Sequence, residues 1–446
     1  MSTKGIRNFR PKLHFTPTRG WINDPNGLVV YDAKYHLFYQ YYPYDGVWGP
    51  MHWGHAVSED LLEWTHLPIA ISPDEDGTIF SGSAVADINN ISGLGRDGKT
   101  PLIAFYTCHG QQQEQSIAYS LDGVNFVKYE KNPVIPNPGL RDFRDPKMFW
   151  NPVKNCWSMV IAAGDRIQFY ATDNLLTWYK TGEFGKEGNH APGVWECPDM
   201  VPFKHKGKTI WLLIASMTTV EGWPYIGTQY FLGDFDGYTF INTIPFGQVE
   251  QLDSGFDNYA GVTFNNAKQP ILIGWASCWS YADKVPTGEF CGCMTLPRSL
   301  ALVDTPIGTR LATNPLGLEK IATIGADCID TETFALKIKG SGASTITLNN
   351  DVGQSLSFGV DAENNFFIDR SKAGANNFSE AFASEEFSQK RVKRFFDGSY
   401  VIDFIFDVSI AEIFIDDGTR SMAALCYPDE LYNNLAIQGD AVLMKS

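Results

Sequence analysis

The chain has 446 residues, of which 44% are hydrophobic and 14% aromatic, and this size and composition predict two domains with substantial cores. Its formal net charge is −16 at pH 7. Because phosphate groups are bound by basic surfaces, this charge argues against a nucleic acid or an anionic membrane as a partner. The sequence contains no run of about 18 apolar residues, so no membrane-spanning helix is expected.

The N-terminal residues and the cysteines both bear on the cellular compartment. The first ten residues carry charges without an apolar stretch after them, so no secretory signal is visible. The eight cysteines are scattered and contain no CxxC pair, which is typical of reduced thiols rather than of a disulfide framework. The sequence therefore predicts a cytoplasmic protein, and it predicts no particular oligomeric state.

Three acidic residues lie in short, unusual strings. A residue before proline is pushed towards extended φ/ψ, so Asp24 and Asp145 are predicted on or beside strands. Converging carboxylates repel each other unless a ligand or a proton resolves the conflict. That arrangement suits glycoside hydrolysis, in which one carboxylate attacks the anomeric carbon and another protonates the leaving oxygen. The strings are Trp21-Ile-Asn-Asp-Pro-Asn-Gly27, Arg144-Asp-Pro146 and Trp195-Glu-Cys-Pro198, the last containing Glu196.

A seven-residue pattern recurs four times, with Asp or Asn at its third position and Trp or Phe at its seventh. Asp and Asn side chains cap turns and Gly permits positive φ, so each copy predicts a turn followed by an aromatic anchor in the next strand. An all-β repeat of about 50 to 60 residues indicates a propeller more than a sandwich. The copies begin at Ser58, Ser120, Thr172 and Asp234.

The acidic strings keep a regular relation to these turns. Asp24, Phe80, Asp145 and Glu196 each precede a turn by 27 to 40 residues. A fifth unit is expected from about residue 253 to 303, with Asp257-Asn-Tyr259 in the corresponding place. Since the early strands of propeller blades line the central axis, these groups should converge at one mouth. The spacing predicts an all-β fold that begins with a five-bladed propeller.

The character of the chain changes after Val303. Asp304-Thr-Pro-Ile-Gly308 resembles the start of a linker. The remainder alternates apolar and polar residues, as in Glu412-Ile-Phe-Ile415, which indicates antiparallel strands of a β-sandwich. The predicted division is a propeller catalytic domain over residues 1–303, a linker over 304–314 and a β-sandwich over 315–446.

The three acidic strings resemble the signature boxes of glycoside hydrolase family 32, which includes invertases, levanases and exo-inulinases. The resemblance covers roughly residues 10 to 300, and it also implies a five-bladed propeller followed by a sandwich. Further matching boxes are His14-Phe-Thr-Pro17, Phe38-Tyr-Gln40, Trp48-Gly-Pro-Met-His-Trp-Gly54, Phe80-Ser-Gly-Ser83, Tyr259-Ala260, Gly274-Trp275 and Leu296-Pro-Arg298.

The resemblance implies a role for each acid: Asp24 is the nucleophile, Glu196 the general acid/base, and Asp145 a stabiliser that holds sugar hydroxyls. A general acid must keep its proton near neutral pH, and desolvation beside Trp195 and the other carboxylates would favour this. Arg144 is expected either to offset carboxylate repulsion and bind hydroxyls or to form a structural salt bridge. The residues matching the family's fructose pocket are Trp21, Asn23, Gln40, Trp48, Phe80, Ser81 and Trp279.

Four histidines and Cys197 could in principle bind a metal or act as a nucleophile, but the sequence favours structural roles for them. The spacing of His14, His36, His52 and His55 beside strand-like aromatics fits hydrogen-bonded structural histidines better than metal ligands. No metal or nucleotide motif is evident, so neither a metal nor a cofactor is predicted. Cys197 is expected to shape the pocket or modulate the acid rather than to act as a nucleophile.

These features predict a retaining, exo-acting β-fructofuranosidase. It would remove terminal non-reducing β-D-fructofuranosyl residues from sucrose, fructo-oligosaccharides, inulin or levan by double displacement. The box from Trp48 to Gly54 resembles the levanase and exo-inulinase version, which favours unphosphorylated substrates. Two alternatives stay open: a fructosyltransferase on the same scaffold, and a propeller that binds fructans without cleaving them. The presence of all three carboxylates argues against the second.

Overall fold

A computed structural model describes residues 7–185, 190, 193–218, 226–324 and 329–444 of the protein. The chain is all-β, a five-bladed β-propeller followed by a β-sandwich-like sheet, which confirms the predicted fold class. It divides into two compact units, and the predicted domain boundaries stay a prediction. The propeller unit contains Gly20–Gln251 and Tyr259–Trp275, and the C-terminal unit contains Met1–Arg19, Leu252–Asn258 and Ala276–Ser446.

Blades 1 to 4 each contain four antiparallel strands in chain order. The fifth blade is represented in the propeller unit by one hairpin, β17 (Tyr259–Thr263) paired with β18 (Ile271–Trp275). The strands of the four blades are β1 (Gly20–Tyr31), β2 (Lys34–Tyr42), β3 (His52–Ser58) and β4 (Thr65–Ile71); β5 (Thr78–Ala86), β6 (Leu102–His109), β7 (Gln113–Ser120) and β8 (Val127–Lys128); β9 (Arg144–Asn151), β10 (Cys156–Ala162), β11 (Ile167–Thr172) and β12 (Tyr179–Phe184); β13 (Val194–His205), β14 (Lys208–Thr218), β15 (Gly227–Phe235) and β16 (Phe240–Ile244).

The repeated pattern forms the turn between the third and fourth strands of each of these blades, as predicted. In the first copy, Asp60 Oδ1 accepts hydrogen bonds from the N–H groups of Leu62 and Glu63. These side-chain caps replace backbone partners that the turn cannot supply. The residue after the capping Asp or Asn has a positive φ in all four copies: Leu61 (72°), Gly123 (74°), Leu175 (63°) and Gly237 (93°).

The stretch predicted as a linker, residues 304–314, instead lies mostly in a β-hairpin. Strands β20 (Arg298–Thr305) and β21 (Gly308–Pro315) pair along their whole length, and the turn between them is closed by Thr305, whose hydroxyl donates to the Gly308 carbonyl. The turn residues that suggested a linker therefore belong to a hairpin. The elements from here to the C-terminus are β19 (Phe290–Cys291), β20 (Arg298–Thr305), β21 (Gly308–Pro315), β22 (Thr333–Asn349), β23 (Ser355–Val360), β24 (Asn365–Lys372), β25 (Gln389–Lys393), β26 (Tyr400–Asp407), β27 (Ile410–Ile415), β28 (Arg420–Leu425) and β29 (Asn434–Leu443), with short helices α1 (Glu380–Ala383) and α2 (Glu385–Ser388) and 3₁₀ turns at Ala282–Lys284 and Leu318–Lys320.

The sandwich character comes from one long strand. The first half of β22 pairs with β26 and its second half pairs with β23, so the sheet has two halves that face each other. Their apolar side chains form a continuous core, in which Phe358 of β23 stacks on Phe404 of β26 with ring centroids 4.5 Å apart. Within the described residues, no helix is long and apolar enough to cross a membrane.

Candidate active site

The first strand of every blade in the propeller unit has a β-bulge at the same relative position. Bulges re-aim side chains and are frequent next to active sites. Three of them contain a proline, a residue that strands tolerate only at edges or bulges. The bulges lie between Ile22 and Pro25, Ile79 and Gly82, Arg144 and Lys147, Glu196 and Asp199, and Tyr259 and Val262.

Asp24 lies in the first of these bulges and is buried. Its Oδ1 accepts from Asn23 Nδ2 at 3.0 Å, and its Oδ2 accepts from Ser81 Oγ at 2.6 Å and from Cys197 Sγ at 3.3 Å. Asn23 is in turn held by the indole N–H of Trp21 at 2.8 Å. Donors from three strands therefore fix the direction of this carboxylate.

Asp145 lies in the third bulge and is also buried. It lies on β9, and Asp24 lies on β1, which confirms their predicted place on strands. Its φ is nevertheless +65° rather than extended, because the bulge imposes a left-handed backbone on the residue before Pro146. Its Oδ2 accepts from the backbone N–H of Cys197 at 2.9 Å, and Cys197 Sγ lies 3.6 Å from the same oxygen. Burial raises the pKa of Asp145 to about 7, helped by Glu196 and Asp24 and opposed by Arg144.

Glu196 is held from two sides. Arg144 donates to its Oε1 from Nη2 at 2.7 Å and from Nε at 3.2 Å, and the Tyr259 hydroxyl donates to its Oε2. The Arg144 and Glu196 side chains are only 12% and 17% exposed. Burial lowers the pKa of Arg144, but Glu196 and Asp145 outweigh this and raise it. The sequence left two alternatives for Arg144, an offset to carboxylate repulsion or a structural salt bridge. The structure shows Arg144 in an ion pair, and its partner is Glu196, the predicted general acid.

Trp195 does not lie beside the Glu196 carboxylate, and the expectation that it desolvates this acid is wrong. Successive side chains of a strand point to opposite faces. Trp195 is buried in a core cluster and stacks on Phe231 with centroids 5.9 Å apart. The neighbours of Glu196 are therefore Arg144 and Tyr259.

The predicted pocket residues of the propeller unit divide into buried supports and an exposed wall. Gln40 is buried and donates to Asn26 Oδ1 at 2.8 Å and to the Ile79 carbonyl at 3.0 Å. Phe80 stacks on His109 at 4.6 Å and meets the edge of Trp48 at 6.2 Å. Trp48 is 49% exposed. Gln40 thus braces two first strands, whereas Trp48 is available to a ligand.

Trp279 belongs to the C-terminal unit, where it is half-buried shortly before the 3₁₀ turn at Ala282–Lys284. Its assignment to the fructose pocket stays a prediction. Eight of the other predicted residues lie on the first strands of four blades, whereas Gln40 lies on β2 and Trp48 on the loop after it. The eight are Trp21, Asn23, Asp24, Phe80, Ser81, Arg144, Asp145 and Glu196.

Several supporting residues were not assigned a role from the sequence. Tyr259 was placed correctly in the fifth repeat, but its bond to Glu196 was not expected. Asp142 and Gln113 accept from Arg144 Nη1 at 2.7 and 3.3 Å, and Thr107 Oγ1 accepts from the Asp145 N–H at 3.0 Å. Tyr259 alone carried a sequence signal, because its position corresponds to those of the three acids.

The four histidines interpreted as structural are hydrogen-bonded, which confirms that interpretation. His14 bonds to Asp407 at 2.9 Å and Glu412 at 3.2 Å, and His36 bonds to His55 at 3.0 Å. His52 Nδ1 donates to the Pro50 carbonyl at 3.0 Å. Among the described residues, no group of three or more His, Cys, Asp or Glu side chains is arranged to hold a metal.

The burial of Cys197 determines its chemistry. Its thiol is enclosed with three carboxylates, and burial followed by those charges raises its pKa well above the usual value. A thiol that keeps its proton is a poor nucleophile but a suitable donor to carboxylates. Its φ of +46° turns its N–H towards Asp145. Cys197 therefore shapes the site, as expected from the sequence.

The arrangement combines two hydrogen-bonded carboxylates, Asp24 and Glu196, on the first strands of blades 1 and 4. The third carboxylate, Asp145, lies on the first strand of blade 3 and has its pKa raised to about 7 by burial. Such a set can attack an electrophilic carbon with one carboxylate and transfer a proton with another. The rings of Trp48 and Phe80 contact each other, and Phe80 directly precedes Ser81, which donates to Asp24, so the two rings add apolar surface suited to a sugar ring next to the carboxylates.

Comparison with known proteins agrees with this geometry. Residues 14–315 match the model of the glycosyl hydrolases family 32 N-terminal domain, and residues 313–441 match the family 32 C-terminal model. The chain is 40% identical over 464 residues to a levanase from Bacillus subtilis strain 168. The aligned region covers 96% of this chain and 68% of that levanase. The chain therefore belongs to glycoside hydrolase family 32 and is a glycoside hydrolase.

Solved structures agree with this assignment. The crystal structure of the exo-inulinase from Aspergillus awamori superposes with a TM-score of 0.89 at 32% identity, covering 98% of this chain and 96% of that one. A fructofuranosidase from Schwanniomyces occidentalis in complex with fructosylnystose superposes with a TM-score of 0.86 at 30% identity, covering 97% and 94%. Structures similar to this chain thus include one that holds a fructan oligosaccharide.

Proposed function

We propose that this protein is a retaining, exo-acting β-fructofuranosidase that hydrolyses terminal fructosyl residues of unphosphorylated sucrose and fructans. One observation carries the proposal: the three carboxylates are joined by hydrogen bonds. Cys197 donates to both Asp24 and Asp145, and Asp24 also accepts from two further donors. Arg144, the residue before Asp145, donates to Glu196. In the first step, Asp24 attacks the anomeric carbon C2 of fructose while Glu196 protonates the departing glycosidic oxygen. In the second, Glu196 takes a proton from water, whose oxygen attacks C2; the bond between C2 and Asp24 breaks, which frees the Asp24 carboxylate and releases fructose.

The remaining groups have supporting roles in this mechanism. Asp145 accepts hydrogen bonds from sugar hydroxyls in its ionised form, and Arg144 and Tyr259 hold the Glu196 carboxyl towards the leaving oxygen. Trp21, Asn23, Phe80 and Ser81 surround the fructose ring. A pocket that encloses one ring admits a chain terminus only, which makes the enzyme exo-acting. The names of the similar proteins, levanase and exo-inulinase, support fructans as the substrate class.

Two variants and a product analysis test the proposal. Asp24→Ala and Glu196→Ala should each lower kcat by several orders of magnitude, while Asp234→Ala, an exposed carboxylate on β15, should leave kcat unchanged. Azide should restore part of the Glu196→Ala activity on an activated fructoside, because azide needs no general base. Near-normal turnover by either active-site variant would contradict the assignment.

Chromatography of inulin and levan digests tests the mode of action. Fructose alone should appear from the first time point, because only chain ends enter the pocket. Early oligosaccharides without free fructose would show an endo-acting enzyme, and growth of longer fructosides from sucrose would show a fructosyltransferase instead.

The cytoplasmic location inferred from the sequence stays a prediction. Several of the most similar proteins, including one from Aspergillus awamori, are named as extracellular exo-inulinases. Activity measured separately in washed cells and in culture medium of the source organism will decide between the two compartments.

A further inference from the structure

An exposed aromatic ridge lies on the loop that joins β2 to β3, residues 43–51. The loop starts where Tyr42 of β2 pairs with Trp21 of β1, three residues before Asp24. It therefore leaves blade 1 at the end of the strands that carries the candidate active site. The loop contains two large exposed rings, Tyr44 at 69% and Trp48 at 49% exposure.

The ridge is continuous with the site. Trp48 meets the edge of Phe80 at 6.2 Å, and the next residue, Ser81, donates to Asp24. On the other side, Gly49 lies so close to the Tyr42 ring that a Cβ at this position would be 2.7 Å from it. Tyr42 in turn contacts Tyr44 with ring centroids 5.5 Å apart. Aromatic surface thus extends from the carboxylates outward to Tyr44.

Tyr44 is held in place although it is exposed. Its ring makes edge contacts with Tyr42 at 5.5 Å and with His52 at 6.0 Å, and His52 is anchored to the Pro50 carbonyl. A ring that is already ordered loses little conformational entropy when a ligand packs on it. The hydroxyl adds a polar edge to an apolar face, a combination that suits an amphipathic ligand such as a sugar.

We propose that Tyr44 is a sugar-binding platform on the leaving-group side of the site and makes the enzyme prefer fructan chains over sucrose. The inference rests on the proposed function, because the chain to be bound is the remainder of the fructan whose terminal residue enters the pocket. Sucrose has one sugar unit beyond the scissile bond, which reaches Trp48 and Phe80. Longer chains have further units, and these pack their apolar C–H faces on Tyr44.

The test compares kcat/KM for fructosylnystose and for sucrose. Tyr44→Ala should lower the ratio of kcat/KM for fructosylnystose to kcat/KM for sucrose by about fivefold, with sucrose turnover unchanged. A factor of this size corresponds to the loss of one aromatic packing contact. Tyr44→Phe and Tyr44→Trp should keep the ratio, because the ring face and not the hydroxyl carries the contact. Tyr238→Ala removes a comparably exposed tyrosine, 47% exposed on the turn before β16, and should change neither value.

Each outcome has a defined meaning. An unchanged ratio in Tyr44→Ala overturns the inference, and so does an equal loss on both substrates, which would reveal only a structural role of the loop. Wild-type protein that releases fructose from neither substrate contradicts the proposed function instead. In that case calorimetry of fructosylnystose binding to Asp24→Ala, with and without Tyr44→Ala, tests the platform separately: weaker binding without Tyr44 supports it, and equal binding rejects it.

Discussion

Replacing Arg144 with Met should impair catalysis in a way that depends on pH. Arg144 makes two charge-assisted hydrogen bonds to Glu196 Oε1, at 2.7 and 3.2 Å, from a side chain that is 12% exposed. Hydrogen bonds to charged groups contribute about 1.5–3 kcal/mol where solvent does not screen them. If the Arg144→Met variant loses this amount from transition-state stabilisation, kcat/KM falls roughly ten- to 150-fold.

The pH dependence follows from Asp145. Burial raises the pKa of Asp145 to about 7, and Arg144 is the largest influence that lowers it. Without Arg144 this pKa rises further, so the ionised form that accepts sugar hydroxyls appears only at higher pH. The acid limb of the kcat/KM profile of the variant should therefore move to higher pH. Arg144→Lys, which keeps the charge but loses the two-atom contact, should show a smaller shift and a smaller loss.

Steady-state kinetics on sucrose across the pH range measure both effects. Arg166→Met is the matched control, because Arg166 pairs with Asp165 in the same unit at the surface. The control should behave as wild type. An Arg144→Met variant with wild-type kcat/KM and an unmoved acid limb would refute the proposed coupling between Arg144, Glu196 and Asp145.

Two further predictions concern stability. Burial lowers the pKa of His14, but Asp407 and Glu412 raise it to about 9 from 6.5, and this shift corresponds to about 3 kcal/mol. That stability is fully present below pH 6.5 and is lost as pH rises through 9, so His14→Gln should destabilise the protein in urea at pH 6 but hardly at pH 10; an equal effect at both pH values would contradict this. Lys147→Met should lower the free energy of unfolding by about 3–5 kcal/mol, because it leaves Asp199, 3.2 Å away and fully buried, without its partner. Replacing both residues by apolar ones should lose less, and an equal loss in the single and double variants would argue against an uncompensated charge.

The propeller could be predicted because its turns are specified locally. In each repeat an Asp or Asn side chain caps the turn within three residues, so the signal lies within one short segment. What the sequence did not show is that Leu61 and Leu175 adopt the positive φ that Gly adopts in the other two copies. The surrounding blade imposes that conformation on residues that do not favour it.

The carboxylates could be located from the sequence, whereas their exact surroundings could not. Pro25, Pro146 and Pro198 mark three of the bulges, and a proline inside a strand-like run is a signal for a bulge that was available. A bulge changes which face each following side chain occupies. Tyr259, far away in the sequence, lies at the bulge of its own strand and contacts Glu196, whereas the adjacent Trp195 points to the opposite face of its strand and into the core.

The stereochemistry of fructosyl transfer tests the account most directly, because a double displacement through Asp24 must retain configuration at C2. Sucrose can be turned over in the presence of methanol, which traps the fructosyl group as a product that does not mutarotate, and the first-formed fructoside can be identified by NMR. The account predicts methyl β-D-fructofuranoside with wild-type protein and no fructoside with Asp24→Ala. Methyl α-D-fructofuranoside as the first product would contradict it.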